Sequence, residues 1–120
     1  MIDIARVYDK PQAKSAKPSS RFLVERLWPR GMKKESLQLN GWLKEVAPST
    51  VLRTWYGHKV ERWPEFRKRY LAELHKNPNA WQPLLEATRR GGVTLLYSAR
   101  DTEHNSAIIL REFLASKLKK

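Results

Sequence analysis

The chain has 120 residues, enough for one compact domain, and 24 lysines and arginines against 12 aspartates and glutamates give it a formal net charge of +12. This charge favours polyanionic partners such as nucleic acid, nucleotides or an anionic membrane surface, although basic side chains that merely keep a protein in solution are the simpler alternative. The absence of cysteine excludes disulfides, thiolate zinc sites and a cysteine nucleophile. No apolar stretch approaches the roughly 20 residues of a membrane helix and the charged start is unlike a signal peptide, so we expect a cytoplasmic protein without membrane association.

Two short strands are predicted in the first part of the chain. Residues 2–8 alternate apolar and polar side chains, which is typical of a half-buried strand. Residues 9–20 contain two prolines and three lysines and are expected to form a loop. Residues 21–27 are nearly continuous in apolar content, as in a buried parallel strand, and residues 28–40 are expected to be irregular with at most one helical turn.

Two short helices are expected to follow. Residues 41–46 form an amphipathic pattern behind Asn40, which is a good amino-terminal cap. Ser49 or Thr50 begins a second helix, which ends one or two residues before Gly57. Gly57 is suited to the left-handed conformation in which many helices terminate.

The clearest long helix is predicted to begin at Trp63-Pro64-Glu65, because proline suits the first helical turn and glutamate suits its positive end. Its apolar positions form a stripe that predicts a buried face: Phe66, Tyr70, Leu71 and Leu74. Three charged residues are expected on the opposite, solvent-facing side: Arg67, Lys68 and Glu73. Pro78 marks the end of this helix.

A further helix, a third strand and a last helix are predicted in the remaining chain. Asn79 caps the first of these helices, Gly91-Gly92 closes it, and its inner face carries Trp81, Leu84, Leu85 and Thr88. Residues 93–98 have the strongest strand pattern of the chain. Asp101 or Thr102 begins the last helix, whose inner stripe is Ala107, Leu110, Phe113, Leu114 and Leu118.

The order of these elements predicts the fold class. A strand that is followed by a helical crossover and another strand favours parallel pairing. We therefore expect an α/β fold with a small, mainly parallel three- or four-stranded sheet flanked by helices. Residues 1–120 are expected to form a single compact domain.

Two arginines flank the point where the second strand is predicted to stop. Arg26 and Arg30 lie on either side of Trp28-Pro29, and proline ends sheet pairing because it lacks the N–H group. Ligands bind at the carboxyl ends of the strands in open α/β sheets, and a guanidinium suits phosphate or carboxylate. Trp28 is placed to stack on a base or sugar, or to fill the core. The arginines alternatively hold the loop by pairing with a nearby carboxylate: Glu25, Glu35 or Asp9.

The end of the third strand repeats this layout. Arg100 and Asp101 follow the strand, and His104 and Asn105 lie near the predicted start of the last helix, whose free N–H groups favour anions. Asp101 and His104 are three residues apart, a spacing that suits a general acid and base. The plainer alternative is that Asp101 caps the helix and His104 bonds a loop.

Metal and cofactor chemistry find little support in the sequence. No phosphate-binding glycine loop is present, and three scattered histidines without cysteine predict neither a metal site nor a cofactor. His58 follows the Trp55-Tyr56-Gly57 segment and is expected to line a pocket.

Five segments carry a family resemblance: Arg26–Gly31 (RLWPRG), Trp42–Ser49 (WLKEVAPS), Leu52–His58 (LRTWYGH), Arg62–Tyr70 (RWPEFRKRY) and Thr94–Asp101 (TLLYSARD), the last with His104 and Asn105. On these residues the chain resembles, nearly end to end, the YeaO-like bacterial proteins, which belong to the family called domain of unknown function 488. The resemblance implies a small cytoplasmic α/β protein and no particular reaction. Glu25 and Lys59 depart from its pattern, since aspartate is common at both positions.

The leading hypothesis is an enzyme-like pocket for an anionic ligand, either a nucleotide or a nucleic-acid component. Arg26, Arg30 and Arg100 would hold the anion. Asp101 and His104 would transfer protons, as in a hydrolysis. The alternative is a non-catalytic nucleic-acid-binding protein that uses its basic helix faces, and a protein-interaction module is a third class without positive support.

Overall fold

The computed structural model describes residues 2–9 and 19–119. Within them, four strands form one parallel sheet in the order β1-β4-β2-β3. The strands are β1 (Ile2–Arg6), β2 (Ser19–Leu23), β3 (Gly41–Trp42) and β4 (Gly92–Tyr97). The predicted α/β class with a mainly parallel sheet is therefore confirmed, and β2 and β4 are direct parallel neighbours.

The helices of the described residues connect and cover these strands. They are α1 (Lys34–Leu37), α2 (Thr50–Tyr56), α3 (Trp63–Lys76), α4 (Pro78–Arg90) and α5 (Ser106–Leu118). Two 3₁₀ turns occupy Lys44–Val46 and Val60–Arg62. None of these helices has the length and apolar content that a membrane crossing requires.

The sheet has a large core on one face and a smaller one on the other. Side chains of a strand alternate between faces, so Leu95 of β4 packs into the larger core against the helices while its neighbour Leu96 lies in the smaller one. The smaller core also holds Leu23 from β2 and Leu37 from α1. Helices α2–α5 thus contribute to one face, and the segment between β2 and β3 packs on the other.

The second strand begins two residues earlier and ends four residues earlier than predicted. The sequence predicts a strand over residues 21–27, whereas β2 begins at Ser19 and ends at Leu23. The Val24 N–H still bonds the Leu96 carbonyl, but the side chain of the next residue, Glu25, accepts from the N–H of Ser98, which follows β4. Ser19 and Ser20 belong to β2 rather than to the predicted loop, and residues 10–18 of that loop lie outside the described residues.

The helix predicted over residues 41–46 is wrong. The backbone there bonds β2 instead, with the Asn40 N–H donating to the Arg21 carbonyl and the Leu43 N–H to the Leu23 carbonyl. The Asn40 side chain accepts a hydrogen bond from the Arg21 N–H and caps no helix. Gly41 suits this edge, because a Cβ atom there would lie 3.2 Å from the Phe22 ring. Strand pairing has overridden the local helical pattern.

Helix α2 agrees with its prediction. It begins after Ser49, whose hydroxyl accepts a hydrogen bond from the Leu52 N–H, and ends at Gly57 in the left-handed conformation. Helix α3 begins at Trp63 as expected, and the predicted inner stripe of α5 is buried except for the half-buried Leu118. The short helix α1 is the helical turn that the sequence allowed between residues 28 and 40.

Three local predictions on the helices are wrong. Helix α4 begins at Pro78, one residue before the predicted cap Asn79, because proline fits the first turn. Helix α5 begins at Ser106 and is capped by Asn105 rather than by Asp101 or Thr102. Glu73 does not face solvent. It is half-buried and accepts hydrogen bonds from the backbone N–H and the hydroxyl of Ser49.

Candidate functional site

A cleft of about 550 Å³ opens at the carboxyl ends of β2 and β4. Its walls come from Glu25 two residues after β2, the segment that leads into α2, helix α2 with the turn after it, one side chain of α3, and the turn between β4 and α5. This is where open parallel sheets place their ligands. The volume falls within the range of small-molecule sites.

The turn between β4 and α5 is organised by one carboxylate. Asp101 Oδ1 accepts hydrogen bonds from the backbone N–H groups of Glu103 and His104, both at 2.9 Å. The Asp101 carbonyl in turn accepts a bond from the Asn105 side-chain amide. These contacts form a tight turn before the helix, which explains why α5 begins later than the sequence indicates.

Asp101 and His104 form a side-chain pair within this turn. Asp101 Oδ2 lies 3.0 Å from His104 Nδ1, and the indole of Trp63 meets the imidazole edge-on at 5.2 Å. The Glu103 N–H, the His104 N–H and the imidazole together hold the pKa of Asp101 below its usual value. The ionised carboxylate orients the ring, as in the base-orienting half of many acid–base sites.

The hydrogen bonds of Asn105 stabilise the start of α5. Asn105 is almost fully buried, and its Oδ1 accepts a hydrogen bond from the Ile108 N–H. Its amide nitrogen bonds the Asp101 carbonyl. Asn105 therefore joins the cleft-lining turn to the helix, while the first residue of the helix, Ser106, lines the cleft.

Two arginines and a histidine line the same cleft. Arg53 of α2, Arg100 of the turn after β4, and His58 are all exposed. Within the described residues, neither guanidinium donates a hydrogen bond or forms an ion pair. Gly57 and His58 both adopt the left-handed conformation, with φ of 53° and 60°, and this reverses the chain after α2. Three basic side chains thereby border one opening.

Glu25 is a half-buried acidic group of the cleft. It lies two residues after the end of β2, and its Oε2 accepts a hydrogen bond from the Ser98 N–H at 3.0 Å. Burial raises the pKa of Glu25, while hydrogen bonds from the Ser98 N–H and from the Ser98 hydroxyl, and the charges of Arg53 and His58, oppose the shift. Tyr56 lines the cleft as well, and burial followed by the charges of Asp101 and Glu61 raises the pKa of its phenol.

Arg26 is turned away from the opening. Its guanidinium donates to the carbonyl groups of Pro48 and Ala47 and lies 3.4 Å from Glu45. Arg26 thus braces the cleft wall and is not among the residues that line it. This is the structural alternative that the sequence left open for this arginine, although with a different carboxylate.

Trp28 and Arg30 lie apart from the cleft. The Trp28 indole N–H bonds the Met32 carbonyl, and its ring packs edge-on against Trp42 beside the smaller core. Arg30 is exposed, and its backbone carbonyl accepts a hydrogen bond from the Tyr8 hydroxyl. Of the residues proposed from the sequence, the structure brings together His58, Arg100, Asp101, His104 and Asn105.

Sequence reasoning missed three of the cleft residues: Glu25, Arg53 and Tyr56. The position of Glu25 could have revealed its role. A carboxylate that directly follows the apolar residues 22–24 needs a partner, because an unpaired charge is costly to bury. Arg53 and Tyr56 lie on a short amphipathic helix and give no such signal. Among the residues that the structure covers, no group of three His, Asp or Glu side chains is placed to hold a metal ion.

The chain is similar to known proteins along its whole length. It is 41% identical over 115 residues to "Uncharacterized protein YeaO" of Escherichia coli (strain K12), covering 96% of this chain and 97% of that protein. It is 37% identical over 113 residues to "Uncharacterized protein Rv3073c" of Mycobacterium tuberculosis (strain ATCC 25618 / H37Rv), covering 94% and 92%. No solved structure matches the chain.

A family model that is described as "Inactive DUF488-N3 subclade" matches residues 1–120. This match agrees with the resemblance carried by the sequence motifs. The chain therefore belongs to the YeaO-like proteins of the domain of unknown function 488 family.

Proposed function

We propose that this protein binds a small anionic ligand, a nucleotide or a nucleic-acid component, in the cleft at the carboxyl ends of β2 and β4. The observation that carries the proposal is the placement of Arg53 and Arg100. Both line the cleft, and both guanidinium groups are without a hydrogen-bond or ion-pair partner among the described residues. A guanidinium suits the oxygens of a phosphate, and Ser106, the first residue of α5, lines the same opening.

The family description favours binding without catalytic turnover, because the matching model is described as an inactive subclade. The cytoplasmic location expected from the sequence suits a nucleotide ligand. The basic face of α3 is a weaker candidate for the anion. Arg67 pairs with Glu112, Arg69 pairs with Glu65, and Arg62 donates to the Trp55 carbonyl.

The test is ligand-induced stabilisation. Nucleoside monophosphates and inorganic phosphate are titrated into the wild-type protein and into the variants Arg53→Ala and Arg100→Ala, and thermal unfolding is followed. A ligand at a hundred times its Kd stabilises the folded state by about 2.7 kcal/mol. We expect a higher Tm for the wild type and a loss of this rise in both variants.

Arg89→Ala is the matched control, since Arg89 is an exposed arginine near the end of α4 and does not line the cleft. It is expected to keep the ligand-induced rise in Tm. If no nucleotide or phosphate stabilises the wild type, or if all three variants respond alike, the proposed cleft function is wrong.

Catalysis is a second candidate, favoured by the 3.0 Å contact between Asp101 and His104. An acid–base role predicts slow hydrolysis of a bound nucleotide, with loss of the rate in His104→Gln. Non-catalytic nucleic-acid binding instead predicts an affinity for oligonucleotides that falls steeply with salt and does not respond to Asp101→Asn.

A further inference from the structure

The cleft has an acidic group opposed to its basic ones. Glu25 lines it from the carboxyl end of β2, whereas Arg53 and Arg100 line it from α2 and from the turn after β4. None of the described residues forms an ion pair with Glu25. A ligand that is anionic throughout would be repelled by this carboxylate. The cleft therefore suits a ligand that combines an anionic group with a hydrogen-bond donor.

Glu25 keeps open acceptor sites although it is bonded inside the protein. Its Oε2 accepts the Ser98 N–H, and the Ser98 hydroxyl also bonds the carboxylate. The two oxygens of a carboxylate offer about four lone-pair sites, so these two bonds leave part of its accepting capacity unused. Because Glu25 is half-buried and lines the cleft, the unused sites are open to a ligand there.

The energetics favour a donor on the ligand. Burial disfavours the charged form of Glu25, and this raises its pKa. A charged group that is partly removed from water regains free energy when a donor satisfies its open lone pairs. The rings of Tyr56 and Phe66 also line the cleft and supply an apolar surface of the kind on which a planar heterocycle packs.

We propose that Glu25 is the specificity-determining residue of the cleft and selects nucleotides whose base presents an exocyclic amino group. The amino group donates to the Glu25 carboxylate, while the phosphate lies between Arg53 and Arg100. This inference rests on the proposed function and adds the class of base. A carboxylate accepts from the N4 amino group of cytosine and repels the O4 carbonyl of uracil at the equivalent position.

The probes are CMP and UMP, which differ chiefly by this amino group and carbonyl. Their affinities are measured by isothermal titration calorimetry at pH 8, well above the ordinary pKa of a glutamate. For the wild type we expect CMP to bind at least about tenfold more tightly than UMP, as one hydrogen bond to a charged group allows.

The variant Glu25→Gln separates specificity from binding. Its amide oxygen retains an acceptor for the Ser98 N–H, and its NH₂ group replaces a carboxylate oxygen with a donor. The preference for CMP is expected to disappear or to reverse in favour of UMP. Glu86→Gln changes an exposed glutamate of α4 and is expected to retain the wild-type preference.

The outcomes distinguish this inference from the function on which it rests. Equal affinities of wild type for CMP and UMP, with both weakened by Arg100→Ala, overturn the role of Glu25 and leave the anion site standing. A CMP preference that survives Glu25→Gln overturns it as well. Absence of binding by CMP, UMP and inorganic phosphate overturns both proposals. Circular dichroism melts show that each variant is folded.

Discussion

The guanidinium of Arg26 holds the backbone at Pro48. Its Nε donates to the Pro48 carbonyl at 3.0 Å, and a second nitrogen donates to the Ala47 carbonyl at 3.3 Å. The first residues after β2 are thereby tied to the segment that leads from β3 into α2. Ala47 and Pro48 line the cleft, so Arg26 shapes the site without reaching into it.

Replacing Arg26 tests this bracing role. Arg26→Ala leaves two backbone carbonyls in a part-buried region without their charged donor, so we expect a loss of about 1–3 kcal/mol in the free energy of unfolding. Urea denaturation followed by circular dichroism measures it. Arg30→Ala removes an exposed arginine from the same loop and should change stability by less than about 0.5 kcal/mol. Equal effects of the two substitutions would contradict a bracing role for Arg26.

Glu73 is expected to stabilise the start of α2 from a neighbouring helix. One carboxylate oxygen accepts the Ser49 N–H at 2.9 Å, and the other accepts the Ser49 hydroxyl proton at 2.6 Å. Glu73→Ala removes both bonds and loosens the cap, so the free energy of unfolding should fall by about 1–2 kcal/mol. The measurement is chemical denaturation. The control is Glu86→Ala, which changes an exposed residue of α4. A fall that is no larger than the control's would mean that the cap does not depend on Glu73.

The pKa of Asp101 predicts a stability that depends on acid pH. Hydrogen bonds from the Glu103 N–H, the His104 N–H and the imidazole lower this pKa in the folded state below its ordinary value of 3.8. The carboxylate therefore contributes stability above that value, and the contribution disappears as the pH falls through the folded pKa. Tm measured between pH 2 and 6 should fall less steeply in Asp101→Asn than in the wild type. Parallel profiles would argue against a stabilising charge at this position.

Glu25 is expected to show the opposite pH dependence. Burial raises its pKa in the folded state, so the folded protein holds this proton more tightly than the unfolded chain. Its contribution to stability then declines as the pH rises above the ordinary value of 4.5 toward the folded pKa. Glu25→Gln keeps the acceptor for Ser98 and lacks the ionisation, so this decline should vanish from its Tm profile between pH 4 and 8. The decline should persist in Glu86→Gln. If it also persists in Glu25→Gln, a group other than Glu25 causes it.

Local patterns were reliable at three helix ends. The cap at Ser49, the left-handed end at Gly57 and the proline at the start of α3 all act within one turn of helix. The strand–helix–strand order likewise predicts parallel pairing, because an intervening helical crossover favours it. The meeting of β2 and β4 at a shared carboxyl edge could therefore be predicted without coordinates.

Contacts between distant segments determined the structure of residues 41–46 and the position of Glu73, which were predicted wrongly. Residues 41–46 carry a helical pattern, but β2 supplies hydrogen-bond partners for Gly41 and Trp42 that the local pattern cannot reveal. Glu73 has the spacing of a solvent-facing residue and nevertheless accepts the bonds of Ser49, which lies 24 residues earlier.

For the site, the sequence by itself determined which end of the sheet bears the cleft and which turn carries Asp101 and His104. It could not determine which arginines line the opening. A guanidinium bonds whatever carbonyl or carboxylate the fold brings within reach, and for Arg26 the fold supplies the backbone of Ala47 and Pro48. Arg53 and Glu25 enter the cleft for the same reason, since only the packing of α2 against α3 and the pairing of β2 with β4 bring them to it.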